Sequence, residues 1–219
     1  MKKHLSFFIG GLLLWIAIPM SAQMNAQTIE LFNGKDLTGW ELVTEDLNAA
    51  KDVFTVKDNL IHIKGSPFGY MQTDKEFDNF HFYVEWRWPE KAANSGIFLF
   101  TQNDKKVWSN CIEVQLKSGF AGDLVLMAGS DMNEFVLPPG EERPAFPVIK
   151  RKVESVENPA GEWNTAEIFC FNGYVTVYVN GIFQNMGTAT LHKKGRIALQ
   201  SEGGPIQFRH VRITPFSFQ

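Results

Sequence analysis

Residues 162–187 read EWNTAEIFCFNGYVTVYVNGIFQNMG. Aromatic and β-branched residues fill this stretch, the composition of a pleated, half-buried surface. Two Asn-Gly dipeptides, Asn172-Gly173 and Asn180-Gly181, divide it. Asn-Gly tolerates the positive φ that a two-residue hairpin turn requires. The stretch therefore predicts antiparallel strands joined by tight turns.

The same period of two runs outward in both directions. VFTVKDNLIHIKG (53–65) predicts a hairpin turning at Lys57-Asp58-Asn59. NFHFYVEWRWP (79–89) alternates Phe82, Val84, Trp86 and Trp88 against Tyr83, Glu85 and Arg87. SGIFLFTQ (95–102), GRIALQ (195–200) and IQFRHVRITPF (206–216) each have strand length. No segment of ten or more residues carries a 3.6-residue apolar stripe, so the fold class is all-β, a sandwich or barrel. Residues 129–162 break the rhythm: they hold five of the ten prolines and many charges. A segment of that kind is either a lid over a binding face or a solvated excursion.

The 219-residue chain has a net charge of -3 and no basic stripe, which argues against nucleic acid as a partner. Its N-terminus, MKKHLSFFIGGLLLWIAIPMSAQ, has two lysines, an apolar run and a small polar exit. That is the pattern of a signal peptide over residues 1–23, not of a membrane span. The expectation is an exported protein, periplasmic or secreted, with one domain over residues 28–216. Cys111 and Cys170 are the only cysteines, so none stands near the cleavage point to take a lipid. Both fall in expected strands, and two buried free thiols are expected rather than a bridge. Oligomeric state is left open.

Several phrases then add up in order: LFNGKDLTGW (31–40), NSGIFL (94–99), IEVQL (112–116), PAGEWNTAEI (159–168), VNG (179–181) and GRIALQSEGGPIQFRHVRI (195–213). Together they resemble the 3-keto-disaccharide hydrolase domain family over nearly the whole chain after the leader. The resemblance implies a concanavalin A-like jelly roll of two antiparallel sheets. It also implies action on glycosides already oxidised to a ketone at carbon 3.

SNCIEVQLKSG (109–119) carries the chemistry. As a strand it puts Ile112, Val114 and Leu116 on one face and Cys111, Glu113 and Gln115 on the other. Jelly-roll glucanases resemble one another in an E-x-D-x-E strand whose acids flank the scissile bond, roughly 5–5.5 Å apart for retention. Here a single acid remains, so a conventional glucanase is disfavoured. A 3-ketone changes what is needed. It acidifies the hydrogen on carbon 2, so one base, one acid and donors for the enolate oxygen suffice.

Glu113 is the expected base. Glu202, in LQSEGG, is the expected second acid/base; relatives resembling LQDHG carry Asp and His where this chain has Ser201 and Glu202. Glu85 with Arg87, Asn94, Ser95, Gln115 and Gln200 are the expected polar contacts to sugar, and Arg87 the expected cation for the ketone oxygen. Trp108 and Tyr70, read as loop residues, are the expected stacking platforms. The glycine of NSGIFL suggests a bulge or close approach. Histidines are scattered and no metal-ligand spacing occurs, so neither metal nor cofactor is assigned. A non-catalytic carbohydrate-binding module of the same fold is the alternative.

Overall fold

A computed structural model describes residues 27–216, so the expected signal peptide lies outside the described residues. The strands are β1 (Ile29–Glu30), β2 (Trp40–Thr44), β3 (Phe54–Lys57), β4 (Leu60–Ile63), β5 (Gly69–Thr73), β6 (Phe80–Arg87), β7 (Gly96–Thr101) and β8 (Cys111–Gln115). They continue as β9 (Leu124–Met127), β10 (Val148–Ile149), β11 (Asn164–Phe171), β12 (Tyr174–Val179), β13 (Ile182–Gly187), β14 (Arg196–Ser201) and β15 (Ile206–Pro215). One helical turn, Ala50–Val53, precedes β3.

The strands form two antiparallel sheets. One has the order β13-β12-β11-β6-β15-β4-β3, with β1 added against β15; the other has the order β10-β9-β8-β7-β14-β5-β2. This is the jelly-roll sandwich the sequence implied. About half of the strand pairings join segments that are not consecutive in the chain, β6 with β11 and β15 and β14 with β5 and β7 among them, and these long-range pairings decide which face each residue finally meets.

The turn chemistry behaves as read. Phe171 pairs with Tyr174 and Val179 with Ile182, leaving two-residue turns. Asn172 and Gly173 have φ of 47° and 84°, Asn180 and Gly181 50° and 74°. Asp58 and Asn59, at 53° and 59°, turn β3 into β4 in the same way. Positive φ at both central residues matches the right-handed strand twist.

The core lies between the sheets. Phe80, Phe82, Val84 and Trp86 of β6 face Ile97 and Leu99 of β7, Ile112 and Val114 of β8, and Ile197 and Leu199 of β14 across it. All are at most 2% exposed, and each large apolar side chain so buried contributes about 1.5–3 kcal/mol. Trp40 is buried too, its indole donating to the Leu31 carbonyl at 2.7 Å, so LFNGKDLTGW anchors the start of the sandwich. Cys170 sits in this core and Cys111 on the far side of the other sheet; both are free thiols, and burial pushes both well above the ordinary thiol range.

The proline-rich segment is in part the solvated excursion and in part an edge strand that neither reading anticipated. Residues 136–146 are exposed. Val148–Ile149 then adds β10 to the edge of the seven-stranded sheet, beside β9.

Candidate active site

Alternation along β8 sends Ile112 and Val114 into the core and leaves Cys111 and Glu113 on the outer face of the seven-stranded sheet. There Glu113 stands opposite Phe98 of β7 and Val125 of β9. One row along, Gln115 faces Gly96, and Gln200 of β14 faces Tyr70 of β5. The Glu113 side chain leans diagonally over Gly96. A Cβ at that glycine would sit 2.8 Å from Cδ of Glu113 and collide with its carboxyl. The glycine of NSGIFL thus clears room for the acid.

The outer face is not open water. Val43, Tyr70, Phe98, Cys111, Val125, Met127 and Ala198 form an apolar layer of their own on it. Trp108, from the β7–β8 loop, packs on that layer, with Phe68 at 5.7 Å and Phe146 at 5.8 Å between ring centres. Glu113 is 3% exposed. Burial, with the charge of Glu202 as a lesser cause, pushes its carboxyl up to about 8.

Glu202 follows β14 and is paired through the backbone with Asn94. Gln200 Nε2 donates to Glu202 Oε2 at 2.8 Å. Burial raises the Glu202 carboxyl, while hydrogen bonds from Gln200 and Asn94 and the charge of Lys117 oppose that rise. Ser95 Oγ donates to the Gln200 carbonyl at 2.8 Å and ties the start of β7 to β14. Glu113 Oε1, Gln200 Oε1 and Asn94 Oδ1 are all buried without a hydrogen-bond partner. Unpaired buried acceptors are costly, so a cluster of them is a place where donors such as sugar hydroxyls are favoured.

Glu113, Glu202, Asn94, Ser95, Gln115, Gln200 and Trp108 are therefore brought to one face or its rim. Ser95 is fully buried and committed to the strand contact. Gln115 turns its Oε1 back to accept from the Leu116 and Lys117 backbone N–H groups at 3.0 and 2.8 Å.

Two expectations need correction. Tyr70 is not a loop platform: it belongs to β5, is fully buried, and packs edge-on to Phe98. Burial raises its phenol far above the ordinary range. Glu85 and Arg87 do share a strand face, but β6 lies in the other sheet. With Val84 and Trp86 in the core, Glu85 and Arg87 point away from it, on the far side of the sandwich from Glu113. Their groups are spoken for there. Glu85 accepts from Tyr83 at 2.9 Å and Arg209 at 2.7 Å, and Arg87 donates to Gln207 at 2.7 Å and covers the Trp163 ring at 4.6 Å.

Sequence reading missed Lys117, Phe120 and Lys150. They border a cavity of about 280 Å³ that also meets Gln115 and Val125, the same-face neighbours of Glu113. Phe120 and Lys117 stand in the loop leaving β8, and Lys150 directly follows β10. Their place next to the strand of Glu113 was the available signal.

Among the described residues, no group of three or more His, Cys, Asp or Glu is placed to hold a metal, and no helix is long and apolar enough to cross a membrane.

Residues 27–214 match the model of the 3-keto-alpha-glucoside-1,2-lyase-like domain. The chain belongs to that family. A 3-keto-disaccharide hydrolase of Bacteroides thetaiotaomicron is 29% identical over 167 residues, 67% of this chain; the chain spans 53% of that relative's length. Two solved structures share the fold. A proposed glycosyl hydrolase from Parabacteroides distasonis has a TM-score of 0.64 at 22% identity, covering 87% of this chain and 94% of its own. A carbohydrate-binding module of type CBM66 from Bacillus subtilis has a TM-score of 0.59 at 10% identity, covering 81% and 96%.

Proposed function

We propose that the chain cleaves 3-keto-glycosides by proton transfer between the sugar and the Glu113–Glu202 pair. The observation that carries this is a carboxyl 3% exposed, poised near pH 8, and electrostatically coupled to a second, better-solvated carboxyl on the same face. Carbohydrate is the partner, and export of the protein with a leader over residues 1–23 belongs to the same reading.

At neutral pH the two carboxyls together hold about one proton, because both charges next to each other in a dry site are unfavourable. Burial gives that proton to Glu113. Glu202, supported by Gln200, Asn94 and Lys117, keeps the negative charge. This reverses the roles the bare sequence suggests. The Glu202 carboxylate takes the carbon 2 proton, and the C–H electron pair becomes an enolate delocalised onto the 3-ketone oxygen. The enolate re-forms the ketone as the C1–C2 double bond forms and the C1–O bond breaks. The Glu113 acid protonates the departing oxygen. Addition of water at carbon 1, with a proton returned to carbon 2, then yields the free 3-keto sugar. One elimination step accounts for both the lyase wording of the family and the hydrolase wording of the Bacteroides relative.

The charge of Lys117 favours the carboxylate form of Glu202. The Asn94 and Gln200 amides hydrogen-bond Glu202, and Trp108 supplies a ring on the apolar layer of the same sheet face.

The test is incubation with an aryl 3-keto-glucoside in heavy water. Aglycone release with deuterium at carbon 2 of the sugar product is expected. Release without label refutes proton abstraction, and binding without release returns the chain to the binding-module reading, which the CBM66 likeness and the Trp108 cluster would then support.

A further inference from the structure

The cavity beside Glu113 has a character that the cleavage chemistry does not require. Its wall holds two ammonium groups, Lys117 and Lys150, and an aromatic ring, Phe120, that is 48% exposed. A second hollow of about 460 Å³ continues from Phe120 and Lys150 toward Arg151, Lys152 and one further acid, Glu154. Asp123 shares both walls, but its charge is used. It accepts from the Arg151 backbone N–H at 2.8 Å and lies 3.7 Å from that residue's guanidinium. Among the described residues, no ion pair neutralises Lys117 or Lys150. The whole chain is net negative, so this positive wall is local.

The wall is also held in place. Glu157 Oε1 accepts from the Gly119 and Ala121 backbone N–H groups at 2.9 and 3.1 Å, fixing the loop on both sides of Phe120. Phe120 lies under cations, with Lys117 Nζ 5.3 Å and the Arg151 guanidinium 5.8 Å from its ring centre. An exposed ring on a pinned loop, with free ammonium groups at its margin, fits a ligand that has a flat or apolar face and an anion at its edge.

Position identifies which part of the substrate that is. Val125 pairs with Glu113 on one side and Val148 on the other, so this cavity lies beside β8 on the side away from Gly96, with Gln115, one alternation from Glu113, in its wall. We propose that it is a subsite for the leaving group, and that the preferred substrates carry an acidic aglycone: a ring bearing a carboxylate or comparable anion. The proposal rests on the cleavage reading of the Glu113–Glu202 face.

The experiment compares 4-carboxyphenyl and 4-carbamoylphenyl 3-keto-glucosides, nearly equal in shape and different in charge. Each exposed lysine–anion contact gives up to roughly fivefold. The acid should therefore exceed the amide in kcat/KM by about five- to twentyfold in 50 mM salt, and the ratio should shrink at 500 mM as charges are screened. Lys150→Gln should bring the ratio down several-fold, while Lys57→Gln on the opposite sheet should leave it where it was. Equal turnover of acid and amide by the unaltered protein overturns the subsite and leaves the cleavage reading intact. So does a ratio that survives Lys150→Gln. If neither compound is cleaved, calorimetric titration with the unoxidised 4-carboxyphenyl and 4-carbamoylphenyl glucosides decides. Tighter binding of the acid, lost in Lys150→Gln, upholds the subsite while the cleavage reading falls; equal binding removes both.

Discussion

Replacing Glu113 by Gln should make the protein more stable and nearly inactive. Burial lifts this carboxyl from an ordinary 4.5 to about 8. Between those two pH values the unfolded chain has released the proton and the folded chain still holds it. The folded state then binds more protons than the unfolded one, so stability falls as pH rises through the window. At about 1.4 kcal/mol per pH unit the loss reaches about 3 kcal/mol at pH 7 and about 4 kcal/mol at pH 8. Gln cannot ionise, so this pH-dependent loss is absent from the variant. Urea unfolding followed by tryptophan fluorescence at pH 4.5, 6, 7 and 8 measures both proteins. The difference should be near zero at pH 4.5 and widen steadily in favour of the variant, because groups common to both cancel. Curves that stay parallel across the range would refute the elevated carboxyl and, with it, the proton assignment proposed for the pair.

Other outcomes follow from the same geometry. The pH profile of kcat/KM should be bell-shaped, rising as Glu202 ionises and falling above about pH 8 as Glu113 does; a profile that climbs through pH 8 instead would make Glu113 the base. Gly96→Ala should cut turnover of a 3-keto-glucoside more than tenfold, since the added methyl takes the place of the Glu113 carboxyl; circular dichroism should show the sheets intact. Arg87→Ala, on the far sheet, should leave kcat within about twofold and cost about 1–2 kcal/mol in urea unfolding through its lost bond to Gln207 and contact with Trp163. A large fall in kcat would contradict its placement.

What the sequence determined by itself is local. Asn172-Gly173 and Asn180-Gly181 specify their turns because few other residue pairs tolerate those dihedrals. The alternation of Phe82, Val84 and Trp86, and of Ile112 and Val114, specifies which side chains enter the core, and thereby puts Glu113 on the outside. Alternation has only two states, inward and outward, and a sandwich has two outward faces. Glu85, Arg87 and Glu113 all read as outward, yet the first two stand on one sheet and the third on the other. That choice was made by pairing β6 with β11 and β15, strands about 80 and 120 residues later in the chain. The sequence offered Trp108 and the 129–162 segment as possible site elements, but not that Phe68, Trp108 and Phe146, from three separate loops, would meet on one apolar layer. The β8 strand was read correctly for its faces, and the apolar neighbours of Glu113 already pointed to its partial burial; only the packing decided how dry the acid became. A carboxyl's proton affinity is set by what surrounds it in space, and those surroundings exist only once the distant segments have packed.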